Sequence, residues 1–354
     1  MPRSSITGWI QWRFSAGFVL MKMTVCVIGS NSFSGAHFVR HALRQGADVL
    51  GISRSDQPHA AFLPYRWEAA HDDDPGRFRF QKGDLNHDLD AIETAIRDHE
   101  SSYVVNFAAQ SMVAESWQHP DHWYQTNVVA NVLLHDRLRK MPFVEKYVHI
   151  STPEVYGNCD GVVDESQAFN PSTPYAASRA ACDLHLMTFY KNYDFPVVFT
   201  RAANVYGPGQ QLYRIIPRAV LFAKMGRPLP LHGGGHSVRS FIHIDDVADG
   251  TWRVMVQAAP PSVFHFSTTR FISIRDLVAM IAQRLDIAFE DLAEVADDRP
   301  GKDHAYQLDS AKAMQQLKWA PAIDLEHGIE DTVSWADRFY DDLKEQPMSY
   351  EHKP

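Results

Sequence analysis

Short β-rich runs separated mostly by helix-period segments fill residues 23 to 200, and this alternation constrains the fold more than any other feature. Segments 23–28 (MTVCVI), 48–53 (DVLGIS), 77–81, 103–107 (YVVNF), 146–150 (KYVHI) and 196–200 (PVVFT) read as six strands. Segments 36–45, 89–98, 123–139 and 175–193 read as the intervening helices. Strands that recur with helices between them pair in parallel, and a parallel sheet needs both faces covered. The expectation is an α/β protein with a doubly wound parallel sheet. After about Asn204 the texture changes. Pro and Gly become frequent (YGPGQQ, MGRPLPLHGGGH, DDRPGKDH), and helices are expected at 274–285 and 329–343. This predicts a cofactor-binding domain over 23–203 and a smaller lobe over 204–343, interleaved with the sheet. The polar tail 344–354 is expected to fray.

Residues 1–22 precede the first strand. Their apolar stretch is broken by Gln11, Arg13 and Ser15, and no small-residue cleavage site follows, so they match a secretory signal poorly. They read as a dispensable extension, with Met21 or Met23 as the functional beginning. With 45% hydrophobic and 22% charged residues, the 354-residue chain has the composition of a globular protein. Thirty-four Lys and Arg against forty-three Asp and Glu leave a formal charge of −9, which disfavours a nucleic-acid binder. No apolar run approaches the ~20 residues that span a bilayer. Cys26, Cys159 and Cys182 lack CxxC spacing, which argues against a disulfide scaffold or zinc cluster and fits a reducing cytoplasm. His119/His122 and His232/His236 have no matching Cys or carboxylate set, so no metal site is expected. Cys159 has no nearby base and reads as incidental.

Three groups of residues carry the chemistry. The first turn reads Gly29-Ser30-Asn31-Ser32-Phe33-Ser34-Gly35, placed after a strand and before a helix. Glycine at its ends permits a sharp turn and close helix–sheet approach, and the helix N-terminus then faces a pyrophosphate, as in a Rossmann-type fold. Ser32 stands where a full dinucleotide fingerprint has glycine. The second strand ends in Ser53-Arg54-Ser55 with no carboxylate for a ribose 2′-hydroxyl, which favours NADP over NAD. Strand five runs into Ser151-Thr152-Pro153-Glu154-Val155-Tyr156-Gly157, and Tyr175-Ala-Ala-Ser-Arg179 follows on a helix. Residues i and i+4 share a helix face, so Arg179 can stabilise the phenolate of Tyr175. Thr152 offers a hydroxyl to a substrate oxygen, and Glu154 offers a carboxylate for proton abstraction.

These segments, with Asn106-Phe-Ala-Ala-Gln-Ser111, Arg201-Ala-Ala-Asn-Val-Tyr-Gly-Pro208 and Gly233-Gly-Gly-His-Ser-Val-Arg239, resemble extended short-chain dehydrogenase/reductases. More narrowly they resemble nucleotide-sugar 4,6-dehydratases, over roughly residues 23–340. The later segments look like the dTDP-glucose branch; Arg54 and the AAQS segment look like the GDP-mannose branch. The resemblance implies an NADP- or NAD-dependent lyase that forms a 4-keto-6-deoxy sugar from a nucleotide-diphosphate sugar, acting as a homodimer. It implies catalytic Thr152, Glu154, Tyr175 and Arg179. The cofactor set is Gly29, Asn31, Ser32, Phe33, Ser34, Gly35, Ser53, Arg54, Asp84, Leu85, Ala108, Ala109 and Gln110, with Tyr175 and Arg179. Ser111, Asn204, Arg239 and Arg299 are the implied substrate contacts, with Lys302 near the nucleotide.

The chain departs from the family at two positions. Pro153 replaces the Asp that protonates the leaving C6 hydroxyl in the dTDP-glucose branch, and Arg179 replaces Lys. A nucleotide-sugar decarboxylase, a 4-epimerase or a catalytically silent sugar-nucleotide-binding paralogue are the competing readings. Glu154 argues against an epimerase, which needs no carboxylate two positions after Thr152.

Overall fold

The computed structural model describes residues 23–67, 77–159, 161–297 and 307–353. The extension 1–22, Arg299 and Lys302 lie outside the described residues. The first half alternates as the sequence predicts: β1 (Thr24–Ile28), α1 (Phe33–Arg44), β2 (Asp48–Ser53), β3 (Phe78–Lys82), α2 (Leu89–Asp98) and β4 (Tyr103–Asn106). There follow α3 (Pro120–Tyr124), a π turn (Gln125–Ala130), α4 (Asn131–Leu138), β5 (Lys146–Ile150), the short β6 (Val162–Val163), α5 (Pro174–Tyr193) and β7 (Val197–Ala202). The predicted helix 123–139 is thus interrupted. Asn131 donates its side-chain amide to the Thr126 carbonyl at 2.9 Å, five residues back, and widens the helix there.

After β7 the chain leaves the sheet to build the lobe: β8 (Asn204–Tyr206), α6 (Ile215–Lys224), β9 (Leu229–His232) and β10 (Val238–His243). It returns through α7 (Ile244–Gln257) to β11 (Ser262–Phe266), then adds β12 (Phe271–Ser273), α8 (Ile274–Arg284), α9 (Phe289–Leu292) and β13 (Ala293–Ala296). β14 (Gln307–Leu308), α10 (Ala311–Leu317), α11 (Leu325–Arg338) and α12 (Tyr340–Leu343) complete it.

The main sheet is seven-stranded and parallel, in the order β11-β7-β5-β4-β1-β2-β3. β11 is a seventh strand beyond the six expected. It lies inside the segment read as a lobe interleaved with the sheet. Val25, Cys26 and Val27 are fully buried, as an interior parallel strand requires. One face is covered by α1 and α7 through Phe38, Val39, Val247 and Val254. The other is covered by α2, α4 and α5 through Ile92, Leu134, Cys182 and Leu186. The lobe has its own core, with Ile216, Val220, Leu277, Ile281 and Ile329. Its sheets are β12-β10-β8 and β13-β9.

The outer edge of β11 is occupied by side chains. Lys312 Nζ donates to the Val263 carbonyl at 2.7 Å, and the His265 N–H donates to Glu165 Oε1 at 3.1 Å. At the other end, β3 carries Arg79 and Lys82.

Candidate active site

Strand order reverses between β1 and β4, and in open α/β sheets a crevice forms at that switch, outside the carboxyl ends of the strands. Two glycines shape it. Gly29 has φ 84°, and a Cβ there would stand 2.7 Å from the Ala108 nitrogen; one on Gly35 would stand 2.2 Å from the Gly29 oxygen. Between them Ser32 has φ −71°, which any residue adopts, and it caps α1. Its hydroxyl accepts from the Gly35 N–H at 3.1 Å and donates to the Gly29 carbonyl at 2.7 Å. Serine at the fingerprint's middle position is therefore a helix cap.

The crevice is a groove of about 240 Å³ lined by Gly29, Asn31, Ser32, Ser53, Arg54, Asp84, Leu85, Ala108, Ala109 and Gln110. Phe33 turns away from it, buried against His37 in the α1 core. Neither Ser34 nor Gly35 lines the groove; Gly35 acts from behind the turn. The Ser53 hydroxyl accepts from the Asn31 N–H at 2.9 Å. Asn86 and Thr126 also line the groove and were missed by the sequence reading. Asn86 Nδ2 donates to Thr126 Oγ1 at 3.1 Å; the signal was its position just after Asp84-Leu85, at the end of β3. Asn31 Oδ1 and Asn86 Oδ1 are buried without a hydrogen-bond partner. A glycine cradle at a helix N-terminus, with unsatisfied polar atoms beside it, fits a dinucleotide.

The catalytic candidates meet beyond the end of β5. Thr152 is extended (φ −144°, ψ 145°) and caps a short 3-10 turn, Pro153–Tyr156, with Pro153 at its first position. Proline suits that position because its missing N–H would have no partner there. Thr173 caps α5, bonding the Ala176 N–H at 3.1 Å, which places Tyr175 in the first turn. The Glu154 N–H donates to the Thr152 hydroxyl at 3.3 Å, and Thr152, Glu154, Arg179 and Arg214 all act on the Tyr175 phenol. Burial pushes the phenol up; Arg179, Thr152 and Arg214 pull it down, and Glu154 pushes it up. The balance is upward, so Arg179 limits a rise rather than producing the low value that the sequence reading sought.

Arg179 is 2% exposed. Its Nη2 donates to the Ile150 carbonyl and lies 3.2 Å from His149 Nε2. Its Nε and Nη1 are buried and have no partner, two donors suited to the hydroxyls of a cofactor ribose. Asn127 ties β4 to α5: it accepts from the Gln110 N–H at 2.8 Å and donates to the Gln110 carbonyl and the Ser178 hydroxyl.

The substrate candidates are more dispersed. Ser111 is exposed and follows Gln110. Asn204 is on β8, where its amide donates to the Ser240 carbonyl at 3.0 Å and braces β8 against β10. Arg239 is on β10, donating to the Val238 carbonyl at 2.8 Å.

The tail does not fray over its described residues. Tyr350 packs edge-on against Tyr213, and His352 stacks on His119, His122 and Trp123. The Lys353 carbonyl then accepts from Gln110 Nε2 at 2.7 Å and Arg54 Nη2 at 3.2 Å, both groove residues. Apart from these, His135, His149 and Cys182 form a buried cluster with donor atoms within 4.8 Å of one another. His135 bonds Tyr147, His149 faces Arg179, and burial pushes the Cys182 thiol up to about 12, so the cluster reads as a polar core.

Residues 26–332 match the profile of the family described as GDP-mannose 4,6 dehydratase. The chain belongs to that family. It is an enzyme of the nucleotide-sugar 4,6-dehydratase class, within the extended short-chain dehydrogenase/reductases, as the sequence resemblance implied. Among relatives of this dehydratase, the dTDP-glucose 4,6-dehydratase of Streptomyces antibioticus is 32% identical over 320 residues, 88% of this chain and 92% of that one. That of Escherichia coli is 29% identical over 342 residues, covering 88% and 93%. The crystal structure of dTDP-glucose 4,6-dehydratase from Streptomyces venezuelae, with NAD bound, superposes at a TM-score of 0.81 with 31% identity, covering 89% of this dehydratase and 97% of its own chain.

Proposed function

We propose that this 4,6-dehydratase acts on a nucleotide-diphosphate hexose with Tyr175, Thr152 and Glu154 in separate roles. The observation that carries this reading is their convergence: Thr152 accepts from the Glu154 N–H at 3.3 Å, and both side chains act on the Tyr175 phenol. Tyr175, as phenolate, takes the proton from the sugar O4 hydroxyl. Thr152 donates to the oxygen that becomes the C4 carbonyl. The bound dinucleotide supplies the hydride acceptor for C4 and the hydride that C6 receives. A C4 ketone acidifies the C5 proton, so Glu154 can remove it; the C6–O bond breaks, and Glu154 returns the proton to the departing hydroxyl as water, so that when C6 receives the hydride C5 takes its new proton from solvent. Glu154 thus serves as base and acid, which Pro153 leaves to it alone. Arg179, through its unpartnered Nε and Nη1, would hold the ribose and oppose the charge of the phenolate.

Gly29, Asn31, Ser32, Ser53, Asp84, Leu85, Ala108, Ala109 and Gln110 would hold the dinucleotide, with Arg54 favouring NADP. Asp56, the first acid after β2, is paired with Lys82 at 2.8 Å. Ser111, Asn204, Arg239 and Arg299 remain the proposed substrate contacts. Three free cysteines, two of them buried, suit a reducing cytoplasm. Apolar residues exposed on α4 and α5 support a homodimer.

The test is Glu154→Gln against a panel of dTDP-glucose, UDP-glucose and GDP-mannose. Cofactor reduction should persist, read at 340 nm, while no product lighter by one water forms. Normal product in this variant removes Glu154 from the mechanism. Release of carbon dioxide by wild type from UDP-glucuronate, run beside the panel, would instead indicate a decarboxylase, and unchanged mass of every sugar nucleotide an epimerase or a silent binder.

A further inference from the structure

Arg179 and Asp183 are one turn apart on α5, 2% and 1% exposed, at the spacing where opposite charges ordinarily pair. They do not pair. Arg179 leaves Nε and Nη1 without partners, and Asp183 leaves Oδ1 without a hydrogen-bond donor. The other carboxylate oxygen, Oδ2, is taken by Arg201 at 2.7 Å and by the Ser151 hydroxyl at 2.6 Å. His149, on β5, stands between the two: its Nε2 is 3.2 Å from Arg179 Nη2 and 3.5 Å from Asp183 Oδ1.

We propose that His149 is a positioning residue for the reaction: as an acceptor it holds the Arg179 guanidinium away from Asp183, so that the positive charge near Tyr175 is not neutralised. This rests on the reading of Tyr175 as the base. Burial, with Arg179 and Arg201 on either side, drives His149 well below its ordinary value, so the ring is neutral. With Nε2 accepting from Arg179, the proton sits on Nδ1, which faces the Tyr147 hydroxyl at 3.4 Å. Tyr147 is itself anchored by Asn106 at 2.9 Å, so the ring is braced from behind.

Without the acceptor, the nearest unsatisfied anion is Asp183 Oδ1. A guanidinium drawn to it would form the i, i+4 ion pair that the wild type avoids, and its field at Tyr175 would be offset. The ionisable groups facing Tyr175 are Glu154, Arg179 and Arg214. Those facing Arg179 are Tyr147 and His149 on β5, and Cys182 on its own helix. Asp183 and Arg201, the ion pair beside His149, complete the set. Of these, Arg179 is the cation that His149 holds, its Nη2 shared with the Ile150 carbonyl.

The experiment measures the pH dependence of substrate-driven cofactor reduction in a single turnover of holoenzyme, with whichever of dTDP-glucose, UDP-glucose or GDP-mannose is active. Rate rises with pH as the phenol ionises, so a weaker cation moves the midpoint to higher pH. His149→Phe should raise it by about one pH unit, roughly a tenfold loss of rate on the acid side. His149→Leu serves if Phe does not fold. His149→Gln, which keeps an acceptor near the Nε2 position, should stay close to wild type. In an Asp183→Asn background, loss of His149 should no longer move the midpoint, since the competing anion is gone. A folded His149→Phe or Leu with an unmoved midpoint, or an equal shift in the Asp183→Asn background, overturns the inference. Cofactor reduction that survives in Tyr175→Phe would overturn the underlying reading instead.

Discussion

Ser32, Arg54 and Arg179 each stand where a familiar pattern has another residue, and the surroundings explain the first most fully. Ser32 needs no positive φ and caps α1, so the turn keeps its shape without a middle glycine. Arg54 is the residue with the sharpest consequence for cofactor choice. Among the described residues the first carboxylate after β2 is Asp56, and it pairs with Lys82 at 2.8 Å. Arg54→Asp should move the ratio of Kd for NADP over NAD by tenfold or more towards NAD, about 1.4 kcal/mol or more, read by calorimetric titration of both. An unchanged ratio would remove Arg54 from the selection. The Tyr175–Arg179 spacing was legible in sequence as a shared helix face. The role of His149 was not: a strand residue becomes a neighbour of Arg179 only once β5 and α5 are packed.

At the level of elements, six strands and most helix positions followed from periodicity, since buried parallel strands and amphipathic helices have distinct repeats. β11 escaped because its own run, SVFHF, sits nearly sixty residues beyond β7 (roughly, counted by chain position), on the far side of a lobe insertion. The tail escaped for a different reason. Its polar composition suggests solvation, yet its carbonyl at Lys353 meets donors that sequence cannot bring near: Gln110 and Arg54. Those donors are in the proposed cofactor groove, so tail and dinucleotide compete for them. Removing residues 346–354 should lower the Kd for the cofactor, by about three- to tenfold for two neutral-acceptor hydrogen bonds released, net of ordering costs. Titration of the apoenzyme measures it. Equal or weaker binding by the shortened chain would mean that the tail does not compete.

For the molecule as a whole, the surface points to one route of association. Val129, Leu133, Leu184 and Tyr193 are between 45% and 57% exposed, on the π turn, α4 and α5. Apolar groups gathered on adjoining helices are ordinarily covered by another surface. Sedimentation should give twice the mass of the chain, and Leu133→Glu with Leu184→Glu should halve it; a wild-type monomer would exclude the homodimer. The ends of the main sheet act in the opposite sense. Lys312 and Glu165 each take one outward backbone group of β11, and β3 presents Arg79 and Lys82. An edge strand whose backbone is already bonded by side chains, or lined with like charge, resists recruitment of a foreign strand. Crowded copies of this protein are thus steered away from edge-to-edge stacking into fibrils, and the helices are left as the surface for any pairing.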